Sequence, residues 1–245
     1  MTKIGIVQMQ AHDNDERAIA VAARMLRRLG RSETDIVCLP EQWLNENRID
    51  DFDARFYEFK KIAREYSMTV IAGAFYHKKE RSLVISAPII GPSGDIIGEQ
   101  DKIHPFDYER NKIRAGTKIK VFKSGCRFGV LICYDMVFSD VAEMLGKKGA
   151  QVLLSPSRIV RRGIIPWHMY VQVRSLENRM PILAANIESW KYGGKSIIAD
   201  MTEKNGVMIP SRTLLTGQSA KYAEFDLKKY EKPRRSRYSD HHKFV

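Results

Sequence analysis

Asp35-Ile36-Val37-Cys38-Leu39-Pro40-Glu41 is an apolar strand that ends on a proline and hands the chain to a carboxylate. Pro40 has no N–H to donate to a sheet ladder and so forces the chain out of the sheet. Glu41 therefore falls at the carboxyl end of a strand. A sheet fixes the backbone there and leaves the side chain free in a crevice, which is why functional residues gather at such ends.

Working outward, Ile4 to Met9 reads as a buried strand, and Asp13-Asn14-Asp15-Glu16 supplies a cap and N-terminal negative charge for a helix. That helix runs to about Gly30, with Ala18, Ala22, Met25, Leu26 and Leu29 on one face. Phe52 to Tyr66 reads as a second amphipathic helix and Thr69 to Phe75 as a strand. Ser82 to Ile90 and Asp95 to Gly98 form an expected hairpin across Gly91-Pro92-Ser93-Gly94. Strands near Ile119 to Phe122 and Arg127 to Ile132 follow, the second ending at Cys133-Tyr134-Asp135, so Cys133 repeats the placement of Glu41. Beyond it come a helix Ser139 to Lys148, a strand Gln151 to Leu154, a helix Pro166 to Asn178 and a strand Pro181 to Ala185. Strand-like segments around Ser196 to Ala199, Val207 to Ile209 and Ser219 to Phe225 make the later part richer in strand than a plain doubly wound sheet. The pattern predicts an α/β fold with strands in two sheets and helices outside.

The 245 residues suit one domain, 1–245, with a basic C-terminal arm from about 228. No apolar run approaches the roughly 20 residues that span a bilayer, and Met1 to Val7 lacks the zones of a secretory signal, so a cytoplasmic location is expected. Three cysteines, Cys38, Cys126 and Cys133, are too few and too irregular for a disulfide framework or a zinc site, leaving at least one free thiol. The formal charge of +12 is spread among acidic residues; the densest basic run, Lys228 to Arg237, reads as a solvated arm, and nucleic-acid binding is not expected. His241-His242 has no partner spacing for a metal and is expected to be solvated.

A carboxylate beside a thiol is a plausible base and nucleophile, but two acidic groups together oppose thiolate formation unless a cation is near. Lys102, in Gln100-Asp101-Lys102-Ile103-His104-Pro105, lies just past the hairpin and could supply that charge and stabilise an oxyanion. Each residue has a blander reading: a buried inert thiol, a solvated acid, a surface lysine. His104 and His168 offer a rival Cys–His arrangement. Of Trp43, Trp167 and Trp190, any could wall a substrate pocket, with core packing the default.

Taken jointly, Leu39-Pro40-Glu41, Asp101-Lys102-Ile103-His104 and Gly129-Val130-Leu131-Ile132-Cys133-Tyr134-Asp135 resemble the base, lysine and nucleophile segments of the nitrilase superfamily of carbon–nitrogen hydrolases. Arg174-Ser175-Leu176-Glu177-Asn178 and Gly194 to Asp200 resemble two later segments, so the likeness covers nearly the whole chain. It implies an α-β-β-α sandwich with two mixed sheets between helix layers, a homodimer or higher homo-oligomer, and no metal or organic cofactor. It further implies hydrolysis of a small amide or N-carbamoyl substrate through a thioester on Cys133, with Glu41 as base, Lys102 at the oxyanion, Glu109 positioning Lys102 and substrate, and the backbone N–H of Tyr134 as a second oxyanion donor. Tyr134-Asp135 resembles amidase-type branches more than true nitrilases. The chain departs from the family where Val137 and Ser139 replace the usual arginine and proline, and where Met201-Thr202-Glu203 lacks the usual proline and glycine. Two alternatives stay open: nitrile hydrolysis, and a catalytically silent binding protein on the same scaffold.

Overall fold

The computed structural model describes residues 1–240. Strand β1 (Thr2–Gln10) is flanked by β2 (Ile36–Cys38) in parallel and by β13 (Ser219–Phe225) antiparallel. Outward from β2 lie β3 (Thr69–Ile71), then β5 (Ser82–Ile90), which also pairs with β4 (Phe75–Lys79) and β6 (Ile96–Asp101). The second sheet runs β7 (Val121–Ser124), β8 (Cys126–Val130), β9 (Val152–Ser157), β10 (Ile182–Glu188), β11 (Ile197–Lys204) and β12 (Val207–Leu214). Among the described residues, the two sheets share strand pairing only where Met9 and Gln10 of β1 meet Ile187 and Glu188 of β10, so this nominally continuous run of strands folds as two layers.

Side-chain alternation then dictates the packing, because successive residues of a strand point to opposite faces. Ile4, Ile6, Ile36 and Cys38 of the first sheet pack against Phe128, Val130, Leu154 and Leu183 of the second, forming the middle of the sandwich. Val7, Met9, Val37 and Leu39 point the other way, onto α1 (Asp15–Arg31) and α3 (Tyr57–Glu65). Leu131, Leu153, Ile182 and Ala184 likewise cover α4 (Ser139–Lys147) and α5 (Ile164–Asn178). The result is the four-layer α-β-β-α arrangement with mixed sheets. Among the described residues, no helix is long and apolar enough to cross a membrane.

Several expectations are corrected. The helix expected over Phe52 to Tyr66 is broken: α2 (Phe52–Arg55) ends at Phe56, whose backbone leaves helical geometry before α3 begins. Burying the Phe56 and Phe59 rings against Trp43 and Phe75 fixes this bend. The strand expected over Thr69 to Phe75 divides at Gly73, whose φ of +109° no side-chain-bearing residue readily adopts, and whose position leaves the Pro40 carbonyl only 2.4 Å from where a Cβ would stand. Helix α5 starts at Ile164, so Pro166 sits inside its first turn, where no N–H is needed.

The C-terminal arm is the largest correction. A 3-10 turn (Leu227–Tyr230) and α6 (Glu231–Ser239) pack on the sandwich, with Tyr230 buried. Arg234 is only 7% exposed and donates to the carbonyls of Ala150 at 2.8 Å, Asn178 at 3.2 Å and Arg179 at 3.1 Å. A run of charge reads as solvated only while its tertiary partners are unknown. His241 and His242 lie outside the described residues.

Candidate active site

Glu41 follows β2 and makes an isolated bridge to Ala74 while its N–H reaches the Ser157 carbonyl of the opposite sheet at 3.3 Å. Lys102 follows β6, held by its N–H to Ile85 and its carbonyl to Gly116. Cys133 follows β8 as the first residue of a 3-10 turn (Cys133–Val137), with φ at +47°, a left-handed conformation strained for a residue bearing a side chain. The surroundings hold that turn in place. The Asp135 carboxylate, fully buried, accepts backbone N–H groups from Ile132 at 2.9 Å, Ile103 at 3.1 Å and His104 at 2.7 Å. From the other side, Arg174 donates to the carbonyls of Met136 and Val137.

The sequence-expected residues converge. Lys102 Nζ lies 2.9 Å from Glu41 Oε1 and 2.8 Å from Glu109 Oε2, all three side chains being at most 3% exposed. Glu109 belongs to a short turn (Asp107–Glu109), and its Oε2 also accepts the Phe106 N–H at 2.7 Å. Burial alone would lower the Lys102 ammonium, but Glu41, Cys133 and Glu109 outweigh it and hold the group charged. Glu109 is raised, first by burial and then by Glu41, with Lys102 opposing. The Cys133 thiol is pushed well above its ordinary value by burial and by the charge of Glu41, against Lys102, which favours the thiolate. The site thus holds a protonated thiol beside a carboxylate, with one shared ammonium between two acids.

A cavity of about 270 Å³ opens over this group, lined by Tyr134, Phe106, Val137, Trp167 and Tyr170 among others. Tyr134 is wedged edge-on between Phe106 and Phe138. A larger open groove of about 640 Å³ along α1 contains no cysteine. Neither candidate histidine joins the thiol: His104 stacks on Phe138 with its Nδ1 3.3 Å from Asp135, and His168 Nε2 is 2.8 Å from the Lys195 carbonyl. Trp43 is a core residue whose indole N–H donates to Ala72, Trp190 is exposed, and Trp167 alone of the three reaches the cavity. Among the described residues, no three His, Cys, Asp or Glu side chains converge as metal ligands.

Sequence reasoning missed Arg158, which lines the cavity beside Cys133. The strand-end rule could have found it, but the strand was expected to stop at Leu154, whereas β9 continues through Pro156 to Ser157. Pro156 is tolerated because it lies beyond Leu154, the last β9 residue paired with β8, so only the β10 side still needs ladder partners there.

A four-layer sandwich with glutamate, lysine and cysteine brought to one cavity defines a carbon–nitrogen hydrolase. The family model for carbon-nitrogen hydrolases matches residues 3–216, and the chain belongs to that family, hydrolases of C–N bonds other than peptide bonds. The crystal structure of a carbon-nitrogen hydrolase from Helicobacter pylori superposes with a TM-score of 0.84 at 20% identity, covering 98% of this chain and 94% of that one. In sequence, the chain is 26% identical to the "Hydrolase in agr operon" of Staphylococcus aureus over 68% of this chain and 70% of the relative. It is 23% identical to the omega-amidase NIT2 of Bos taurus over 75% and 74% respectively.

Proposed function

We propose that the chain is an amidase in which Cys133 is the nucleophile, Glu41 the general base and acid, and Lys102 the oxyanion cation. The observation that carries this reading is the contact of one buried ammonium with two carboxylates, 2.9 Å from Glu41 and 2.8 Å from Glu109, in the cavity that Cys133 also lines.

Because the thiol is held protonated, sulfur attack and proton loss go together: Glu41 takes the Sγ proton as the C–S bond forms and the carbonyl π electrons move onto oxygen. Lys102 and the Tyr134 N–H stabilise that oxyanion. On collapse the C–N bond breaks, and the proton on Glu41 passes to the departing amine. Water then enters, gives a proton to Glu41 and adds to the thioester; collapse breaks the C–S bond, releasing the acid and the cysteine, which recovers its proton. Glu109 positions Lys102, keeping its ammonium from resting wholly on Glu41. The amidase name of the bovine relative supports an amide over a nitrile.

We also infer a homodimer in the cytoplasm. Ile165, Met169 and Val173, four residues apart on α5, are 71%, 60% and 43% exposed and form an apolar stripe that a second copy could cover. Three unpaired cysteines suit a reducing compartment. Sedimentation of the wild type and of a variant carrying serine at those three positions decides the dimer.

Ammonia release from a panel of small amides, N-carbamoyl amines and nitriles tests the reaction, with Cys133→Ala alongside. Release by wild type alone is expected; equal release by the variant overturns the mechanism, and release from nitriles only overturns the amide assignment.

A further inference from the structure

We propose that Val137 is a specificity residue: with one face of α5 it forms an uncharged wall that takes the acyl chain, so the enzyme prefers amides of short alkyl acids. The inference rests on the amidase reading and names the substrate class within it.

The cavity lining divides by chemistry. One part is charged and held together by its own contacts: Lys102 joins Glu41 and Glu109, and Arg158 donates at 3.2 Å to Tyr108, the residue before Glu109. Burial would lower the Arg158 guanidinium, but Glu41 outweighs it ahead of Tyr192 and Tyr108, which keeps this cation with the charged part. Arg158 and Lys191 lie against one ring, 5.1 and 5.5 Å from the Tyr192 centroid. The other part carries no charge. Pro166 and Trp167 stand four and three residues before Tyr170, so the three share a face of α5. The Trp167 indole nitrogen is buried away from solvent, so the ring presents carbon to the cavity. One turn beyond Tyr170 on that face, Arg174 donates to the carbonyls of Met136 at 3.2 Å and Val137 at 3.0 Å, which seats Val137 against the same helix.

The reacting carbon assigns this wall its occupant. In the tetrahedral intermediate that carbon bears four groups: the Cys133 sulfur, an oxyanion held by Lys102 and the Tyr134 N–H, the amine that Glu41 protonates, and the acyl chain. The first three fall to the charged part and to the nucleophile's own turn. The fourth is left with the uncharged wall. Val137, four residues after Cys133 in the same 3-10 turn, stands where wall and nucleophile meet. An unpaired charge buried there would be costly, whereas each buried methylene is worth about a factor of four in binding. The cavity of about 270 Å³ is smaller than the range of about 300–1,000 Å³ usual for drug-sized ligands, so the chain is short.

The test compares ammonia release from unbranched amides, acetamide to hexanamide, by wild type, Val137→Ala and Val137→Thr. In wild type kcat/KM should rise about fourfold per methylene until the wall is filled, then fall. Alanine enlarges the space and should move the optimum to a longer chain; threonine keeps the shape, adds a hydroxyl and should flatten the rise. Both readouts are ratios within one protein, so a general loss of activity does not move them. A second measurement needs no turnover. The matching aldehydes, acetaldehyde to hexanal, bond Cys133 Sγ to their carbonyl carbon while the thiol proton passes to oxygen, which lays the same chain on the wall. Their affinity is read from protection of the Cys133 peptide against iodoacetamide by mass spectrometry, and should follow the same order of length and the same shift in Val137→Ala. A flat series in wild type overturns the wall, and series identical in all three proteins overturn Val137 as its determinant; with ammonia still released, the amidase reading stands. Graded protection in a protein that releases no ammonia from any amide supports the wall and removes the amidase reading.

Discussion

The Asp135 carboxylate accepts the His104 backbone N–H at 2.7 Å, which ties the turn that begins at Cys133 to the loop that follows Lys102. Nucleophile and ammonium come from different sheets, and this contact with its neighbours at Ile103 and Ile132 keeps them in register.

Asp135→Asn replaces an acceptor of several N–H groups with an amide that can turn only one oxygen toward them. We expect a loss of about 1.5–3 kcal/mol in chemical denaturation, the cost of losing hydrogen bonds to a buried charge. Because the damage falls on alignment, kcat should drop more than KM rises. A variant of full stability and activity would show that the backbone alone holds the turn.

Lys102→Met leaves Glu41 and Glu109 facing each other without a cation. Breaking such a buried arrangement costs about 3–5 kcal/mol. Glu109 is already raised by burial and by Glu41, so its folded form favours the proton. Its contribution is therefore present below the ordinary carboxylate value and is lost as pH rises through the raised one. Denaturation midpoints should show the variant's deficit largest above neutrality and smaller toward pH 5; a deficit independent of pH contradicts this.

His104 gives a second pH dependence. The Asp135 carboxylate beside it raises the imidazolium, burial partly opposing and Asp140 adding to the rise. The stability it contributes is complete below the ordinary histidine value of about 6.5 and is lost as pH rises through the higher folded value. Phenylalanine keeps the ring over Phe138 and removes the proton. Stability measured from pH 5.5 to 9 should fall more steeply for wild type than for His104→Phe, and parallel curves would assign the slope elsewhere.

Arg234→Met tests the C-terminal helix. The guanidinium serves carbonyls of Ala150 before β9, of Asn178 at the end of α5 and of Arg179 just after it. A loss of about 1.5–3 kcal/mol in denaturation is expected, with little change in kcat because α6 stays remote from the cavity lining. Loss of activity without loss of stability would contradict the anchoring role.

Much of the fold was legible in the sequence because its strands are short apolar runs with clear stops. Pro40 after Leu39 and the turn residues Gly91 to Gly94 carry their own geometry, and they put Glu41 and Lys102 at strand ends. The break at Gly73 was not legible, since a glycine within Thr69 to Phe75 fits a strand until the Pro40 carbonyl is known to press against it. Arg158 was hidden for a related reason: Pro156 reads as a strand's end, and only the pairing of neighbours shows that one side of β9 no longer needs a donor. Arg234 stood in a run of basic residues with nothing local to distinguish it. Its carbonyl partners lie more than 50 residues away.

Among the described residues, strand pairing between the two sheets is confined to Met9 with Ile187 and Gln10 with Glu188, with single hydrogen bonds such as Glu41 to Ser157 adding to it. Glu41 and Lys102 ride on one, Cys133 and Arg158 on the other. The thickness of the hydrophobic filling between them is thus a ruler for the reaction. A methyl group added to or taken from Ile36 or Leu154, far from any substrate, would alter how closely base and nucleophile approach. Activity in this enzyme should wear away under interior substitution while the chain still folds.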